Sequence, residues 1–116
     1  MDRIIYKIAP RAQWAEAEAA GVFEGAPIDL SDGFIHFSTA AQLRETAEKH
    51  FTGKADLVLV EVAAAPLGDV LRYEPSRGGL LFPHLYGPLP LSAVRQTWPL
   101  ATDGSGNHVF PQEIGA

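Results

Sequence analysis

Cysteine is missing from the chain, which excludes disulfides, thiolate nucleophiles and cysteine-based metal sites. Basic residues are scarce: nine Lys and Arg stand against fourteen Asp and Glu, a formal net charge of −5. Duplex nucleic acid draws its affinity from phosphate neutralisation, so it is not an expected partner. A small anionic ligand held by a few local donors remains compatible with that balance. No run approaches the roughly 18 consecutive apolar residues of a membrane-spanning helix. The opening MDRIIYKIAPRAQW breaks its short apolar run with charges, unlike a secretory leader, and a cytoplasmic location is the expectation. No two histidines have H-x-H or H-x-x-x-H spacing, so no metal is expected. A G-x-S-x-G nucleophile elbow is also absent.

What remains is an ordinary globular composition, 116 residues with 47% hydrophobic. That length suits one domain over residues 1–116, with a core from about 3 to 100 and a C-terminal tail from 101 to 116, in which ATDGSGN predicts a turn and HVFPQEIGA lies on the surface. RIIYKIA (3–9) predicts a strand and PRAQWAEAEAAG (10–21) a helix, with Pro10 in the first turn and Gly21 as the stop. VFEGAPIDLSDG (22–33) is rich in turn residues and predicts a loop. GFIHFS predicts a strand, and TAAQLRETAEKHFTG a helix that opens on a Thr39/Gln42 capping box and ends at Gly53. DLVLVEVAAA (56–65) alternates, with Leu57, Leu59 and Glu61 on one face and Val58, Val60 and Val62 on the other. DVLRYEP (69–75) predicts a shorter strand. LLFPHLYGPLP is extended but carries Pro83 and Pro88, which predicts an edge or loop rather than a central strand. PLSAV suits one helical turn and VRQTWPL (94–100) a last strand. Early helices and late strands favour an α+β fold over a doubly wound parallel sheet.

Chemistry concentrates in two stretches. In DGFIHFST (32–39), strand alternation puts Phe34, His36 and Ser38 on one face. Ser38 and Thr39 also open a helix, whose free N–H groups attract anions. A ribose or phosphate site at His36 therefore weighs about equally against a core histidine satisfied by a carbonyl. In FPHLYGPLP (82–90), His84 and Tyr86 share a face, prolines stiffen the backbone and Gly87 permits close approach. Two such histidine segments in one small domain favour a ligand pocket over an aromatic plug. Arg72 and Glu74 share a face of their strand and are weaker candidates, more simply an exposed ion pair. Arg77 is more simply a solvated turn residue than a phosphate contact. HFS fits one H-x-[S/T] element of the two-histidine phosphoesterases, but the second histidine reads HLY.

IIYKI, the tryptophan of the first helix, DGFIHFSTAAQL and FPHLYGPLPLSAV together resemble the DUF952 family, over the chain to about residue 100. That resemblance implies the ADP-ribosyltransferase-like superfamily: a split, mainly antiparallel β-sheet with two flanking helices around an NAD pocket. It implies NAD as a possible substrate and a small nucleotide as ligand. Carried onto this chain, it implies catalytic roles for His36, His84 and Glu74. It implies ligand contacts from Ser38, Thr39, Tyr86 and the first-strand residue, Lys7 or its neighbour Tyr6. The histidines give it the flavour of the RNA 2′-phosphotransferases. A nucleotide-binding or interaction module without catalysis is the alternative.

Overall fold

A computed structural model describes residues 3–114, the side chain of Arg77 excepted. The first strand, β1 (Ile4–Pro10), pairs antiparallel with β4 (Leu57–Ala63), and β4 pairs on its other side with β8 (Val94–Thr102). β9 (His108–Val109) extends that sheet, giving the order β1-β4-β8-β9. A second sheet has the order β3-β6-β5, built from Ile35–His36, Leu81–Leu85 and Leu71–Pro75. Tyr6 and Ser38 exchange two backbone bonds, of 2.8 and 2.9 Å, and so tie β1 to the segment just after β3. β2 (Val22–Phe23) and β7 (Leu89–Pro90) form a small ribbon. Every strand pair is antiparallel, so the fold is α+β with mainly antiparallel sheet. No helix among the described residues is long and apolar enough to cross a membrane.

The alternation of β4 divides the core. Val58, Val60 and Val62 join Ile5, Ala9, Ile35, Phe37 and Leu85 under α1 (Arg11–Ala20), which buries Trp14 and Ala17. Leu57 and Leu59 join Tyr6, Ile8 and Leu100 under α3 (Ala40–Phe51), which buries Leu43 and Ala47. A helix on each face explains why β1 is buried throughout its middle. Pro10 ends the strand with φ −59° and ψ 138° and precedes α1 rather than sitting in its first turn; Gly21 ends α1 in the left-handed region at φ 82°. Thr39 caps α3 in the expected way: its hydroxyl accepts from the Gln42 N–H, and the Gln42 side chain accepts from the Thr39 N–H. Thr39→Ala is expected to cost about 1 kcal/mol, read as a lower urea midpoint with unchanged slope.

Two expectations are corrected. The stretch 22–33 is no loop: it holds β2 and a short helix, α2 (Pro27–Asp32), so the described residues contain three α-helices rather than two. β6 is the central strand of its sheet despite Pro83. In an antiparallel ladder Phe37 and Pro83 would exchange two bonds. Pro83 accepts from the Phe37 N–H at 3.0 Å and has none to return. β3 already ends at His36, so the lost bond falls at the ladder's end, and the β5 side of Pro83 needs no donor there. Beyond residue 100 most residues are exposed and 104–105 form a turn, as expected, with two further contacts to the domain. β8 runs on to Thr102, β9 pairs with it, and Ile114 is buried in the α3-side core.

Candidate functional site

The cross-strand pairing of β3 with β6 sets His36 opposite His84, and the pairing of β5 with β6 sets Arg72 opposite His84. The two imidazoles lie edge to face with centroids 5.7 Å apart. Phe34 joins them: its ring stacks on His84 at 4.1 Å and sits 4.6 Å from His36 and 5.2 Å from Tyr86. Arg72 lies over the Tyr86 ring at 5.0 Å. Four aromatic rings and one guanidinium thus share one end of the second sheet.

Carboxylates orient the rings. Glu74 Oε1 is 2.8 Å from His84 Nδ1 and accepts from the Tyr86 hydroxyl at 2.7 Å. Those two bonds, from Tyr86 first and then His84, hold the Glu74 carboxyl below its usual range, and the bond to Glu74 pushes the Tyr86 phenol up. Asp29 Oδ1 is 2.6 Å from His36 Nδ1 and 3.1 Å from the His36 backbone nitrogen. Its Oδ2 accepts from the Ala26 N–H at 2.8 Å. The Lys7 ammonium lies 2.9 Å from each Asp29 oxygen. Burial alone would push the Asp29 carboxyl up, but the His36 bond and the Lys7 charge outweigh it and hold it at about 2. On the far side of the ring, His36 Nε2 is 2.9 Å from Asp32 Oδ2. A pocket of about 240 Å³ opens beside this cluster, lined by Glu24, Asp29, Leu30, Phe34, Gly87 and Pro88 among others.

His36, His84, Glu74 and Tyr86 therefore converge. Ser38 and Thr39 turn their side chains to α3 instead: the Ser38 hydroxyl meets Thr46 at 2.8 Å, and the Thr39 hydroxyl caps the helix. Lys7 is buried on the covered face of β1 that it shares with Ile5 and Ala9, and it meets the pocket-lining Asp29 from behind rather than lining the pocket itself. The Arg77 side chain lies outside the described residues. His108 Nε2 meets the Lys54 carbonyl at 2.9 Å, a local contact beyond this cluster. Asp29, Asp32 and Phe34 were not singled out from the sequence as site residues. A signal for the aspartates exists: Pro27 at a helix start, Gly33 at a stop, and two acids three apart, which share a helix face.

An α+β protein with two carboxylate-bonded histidines across one strand pair is the class that fold and site define. The chain belongs to the DUF952 family, described as proteins of unknown function, which matches residues 8–97. It is similar to protein CC0527 from Caulobacter crescentus. The crystal structure of that protein is 49% identical, covers 97% of this chain and 99% of its own, and superposes with a TM-score of 0.92. Its solution NMR structure matches at 52% identity over 91% of each chain, with a TM-score of 0.81. No curated protein matches the chain.

Proposed function

We infer that the His36–His84 cluster binds the ribose-and-base end of an NAD- or ADP-ribose-type nucleotide, and that Glu74 serves transfer at the anomeric carbon. One observation carries this reading: a single Glu74 oxygen takes bonds from both His84 and Tyr86 beside the Phe34 ring. Cleavage of a nicotinamide–ribose bond passes through an oxocarbenium-like state that a fixed negative charge stabilises. Glu74 is such a charge, half-buried and kept ionised by its two donors. His36 and Tyr86 orient the ribose and base, and Arg72, lying over the Tyr86 ring, is the cation assigned to a phosphate. The two antiparallel sheets, joined at one bridge, are compatible with the split sheet of the ADP-ribosyltransferase-like superfamily. The two-histidine phosphoesterase reading loses support, since the Ser38 hydroxyl is bonded to Thr46.

A second reading, nucleotide binding without turnover, is favoured by Asp32, which already occupies His36 Nε2. Thermal unfolding tests the shared step. A ligand that binds only the folded state stabilises it, by about 2.7 kcal/mol at a hundredfold excess over Kd, or roughly 10 °C in Tm for a domain of this size. NAD and ADP-ribose are expected to produce that shift and Phe34→Ala to remove it while leaving the unliganded protein folded. Unchanged melting with NAD, ADP-ribose and nicotinamide alike would favour an interaction module instead.

A further inference from the structure

α2 is inverted for a surface helix. Ile28 and Leu30 are 59% and 65% exposed, while Asp29 is buried. Apolar burial does not fasten it; ionic contacts do. Both of its aspartates converge on one imidazole, Asp29 at His36 Nδ1 and Asp32 at His36 Nε2. Both nitrogens donate at once only in the doubly protonated ring.

The two aspartates differ in everything else. Asp29 also accepts from Lys7, from the Ala26 N–H and from the His36 N–H, so it cannot leave without stranding a buried ammonium. Asp32 ends the helix, its side chain is 42% exposed, and Gly33 follows at φ 86°. A half-open pair of this kind contributes little, and water readily receives the carboxylate if it turns away.

We propose that the two aspartates have opposite roles at the site: Asp29 is a positioning residue that fixes the His36 ring, and Asp32 is an internal competitor that occupies Nε2 until an oxygen acceptor of the ligand replaces it. The second half rests on the nucleotide reading above, with a ribose hydroxyl or a phosphate oxygen as the acceptor. The first half does not. Asp29 sets which ring nitrogen is held inside and which faces outward, as carboxylates behind functional histidines do. The unliganded protein then holds its own histidine closed with a carboxylate in the ligand's place.

Titration calorimetry with ADP-ribose and ¹⁵N NMR of the His36 ring test both halves. Asp32→Ala is expected to tighten ADP-ribose binding roughly threefold to tenfold, the size of one half-exposed bond. It should move the Nε2 signal and leave the Nδ1 signal in place. Asp29→Asn is expected to weaken binding roughly tenfold or more and to move the Nδ1 signal without any ligand. Weaker binding by Asp32→Ala overturns the competitor role. An unmoved Nδ1 signal in Asp29→Asn overturns the positioning role. Should Asp29→Asn not fold, Asp32→Ala decides alone, because movement of both signals overturns the division of roles. If neither wild type nor Asp32→Ala binds ADP-ribose, the competitor role falls together with the nucleotide reading, and the ring signals still judge Asp29.

Discussion

Replacing Lys7 by methionine is expected to destabilise the fold by about 3–5 kcal/mol, the cost of removing one partner of a buried ion pair. Lys7 is 5% exposed and Asp29 1%, so solvent screens neither. Methionine keeps an apolar stem beside Ile5 and Ala9, and what disappears is the ammonium that balances Asp29. The backbone donors of Ala26 and His36 stay bonded, but the carboxylate loses its permanent countercharge. Urea unfolding measures the effect. The double variant Lys7→Met/Asp29→Asn is expected to recover part of it, since the uncompensated charge is gone and the amide oxygen still accepts. A single variant within about 1 kcal/mol of wild type would show that the pair contributes no net stability.

Asp29 also shapes the acid limb of stability, through its bond to His36 first and the Lys7 charge second. The Asp29 carboxyl is held at about 2, below its ordinary 3.8. Its folded value is depressed, so its contribution is complete above the unfolded value and is lost as pH falls from about 4 towards 2. That difference is worth about 2 kcal/mol. In Lys7→Met the carboxyl rises towards its ordinary value, and the acid transition is expected to flatten over that window.

Much of this architecture is legible along the chain, and the failures share a cause. The alternation of β4 and the capping box of α3 are local signals, and both elements form where those signals lie. The facing of His36 and His84 follows from two extended stretches meeting in one sheet. α2 defeats pattern reading because its periodicity is reversed: Ile28 and Leu30 are exposed and Asp29 points in, where it meets Lys7 from β1 and His36 from β3, the strand that follows the helix. Lys7 itself shows the limit of alternation. A strand with one covered face buries Tyr6 or Lys7; β1 is covered on both faces and buries both. Pro83 in a central strand is intelligible only once the end of β3 is known, and the burial of Ile114 depends on an α3 surface some sixty residues earlier in the chain.

Glu74→Gln is the substitution expected to separate enzyme from binder. Glutamine keeps the shape of the side chain and an oxygen that accepts from Tyr86 and His84, so the cluster should retain its geometry and its affinity for ADP-ribose. What it removes is the negative charge beside the position proposed for the anomeric carbon. If the protein cleaves NAD, that charge acts only as positive charge develops on the ribose, and its loss is expected to lower kcat by roughly 10²–10³ with little change in KM, by the scale of single preorganised electrostatic groups. His84→Ala removes the ring that orients Glu74 and stacks on Phe34, so it should raise KM as well as lower kcat. Nicotinamide release from labelled NAD, with and without RNA bearing a 2′-phosphate, measures all of this. Turnover lost in Glu74→Gln at unchanged nucleotide affinity would establish a glutamate-dependent transferase. Turnover that requires the phosphorylated RNA and is lost in His84→Ala would point to the phosphotransferase type of chemistry. Equal, vanishing turnover in wild type and both variants, with ADP-ribose still bound by wild type, would leave Glu74 a brace for His84 and Tyr86 and make the site one for binding alone.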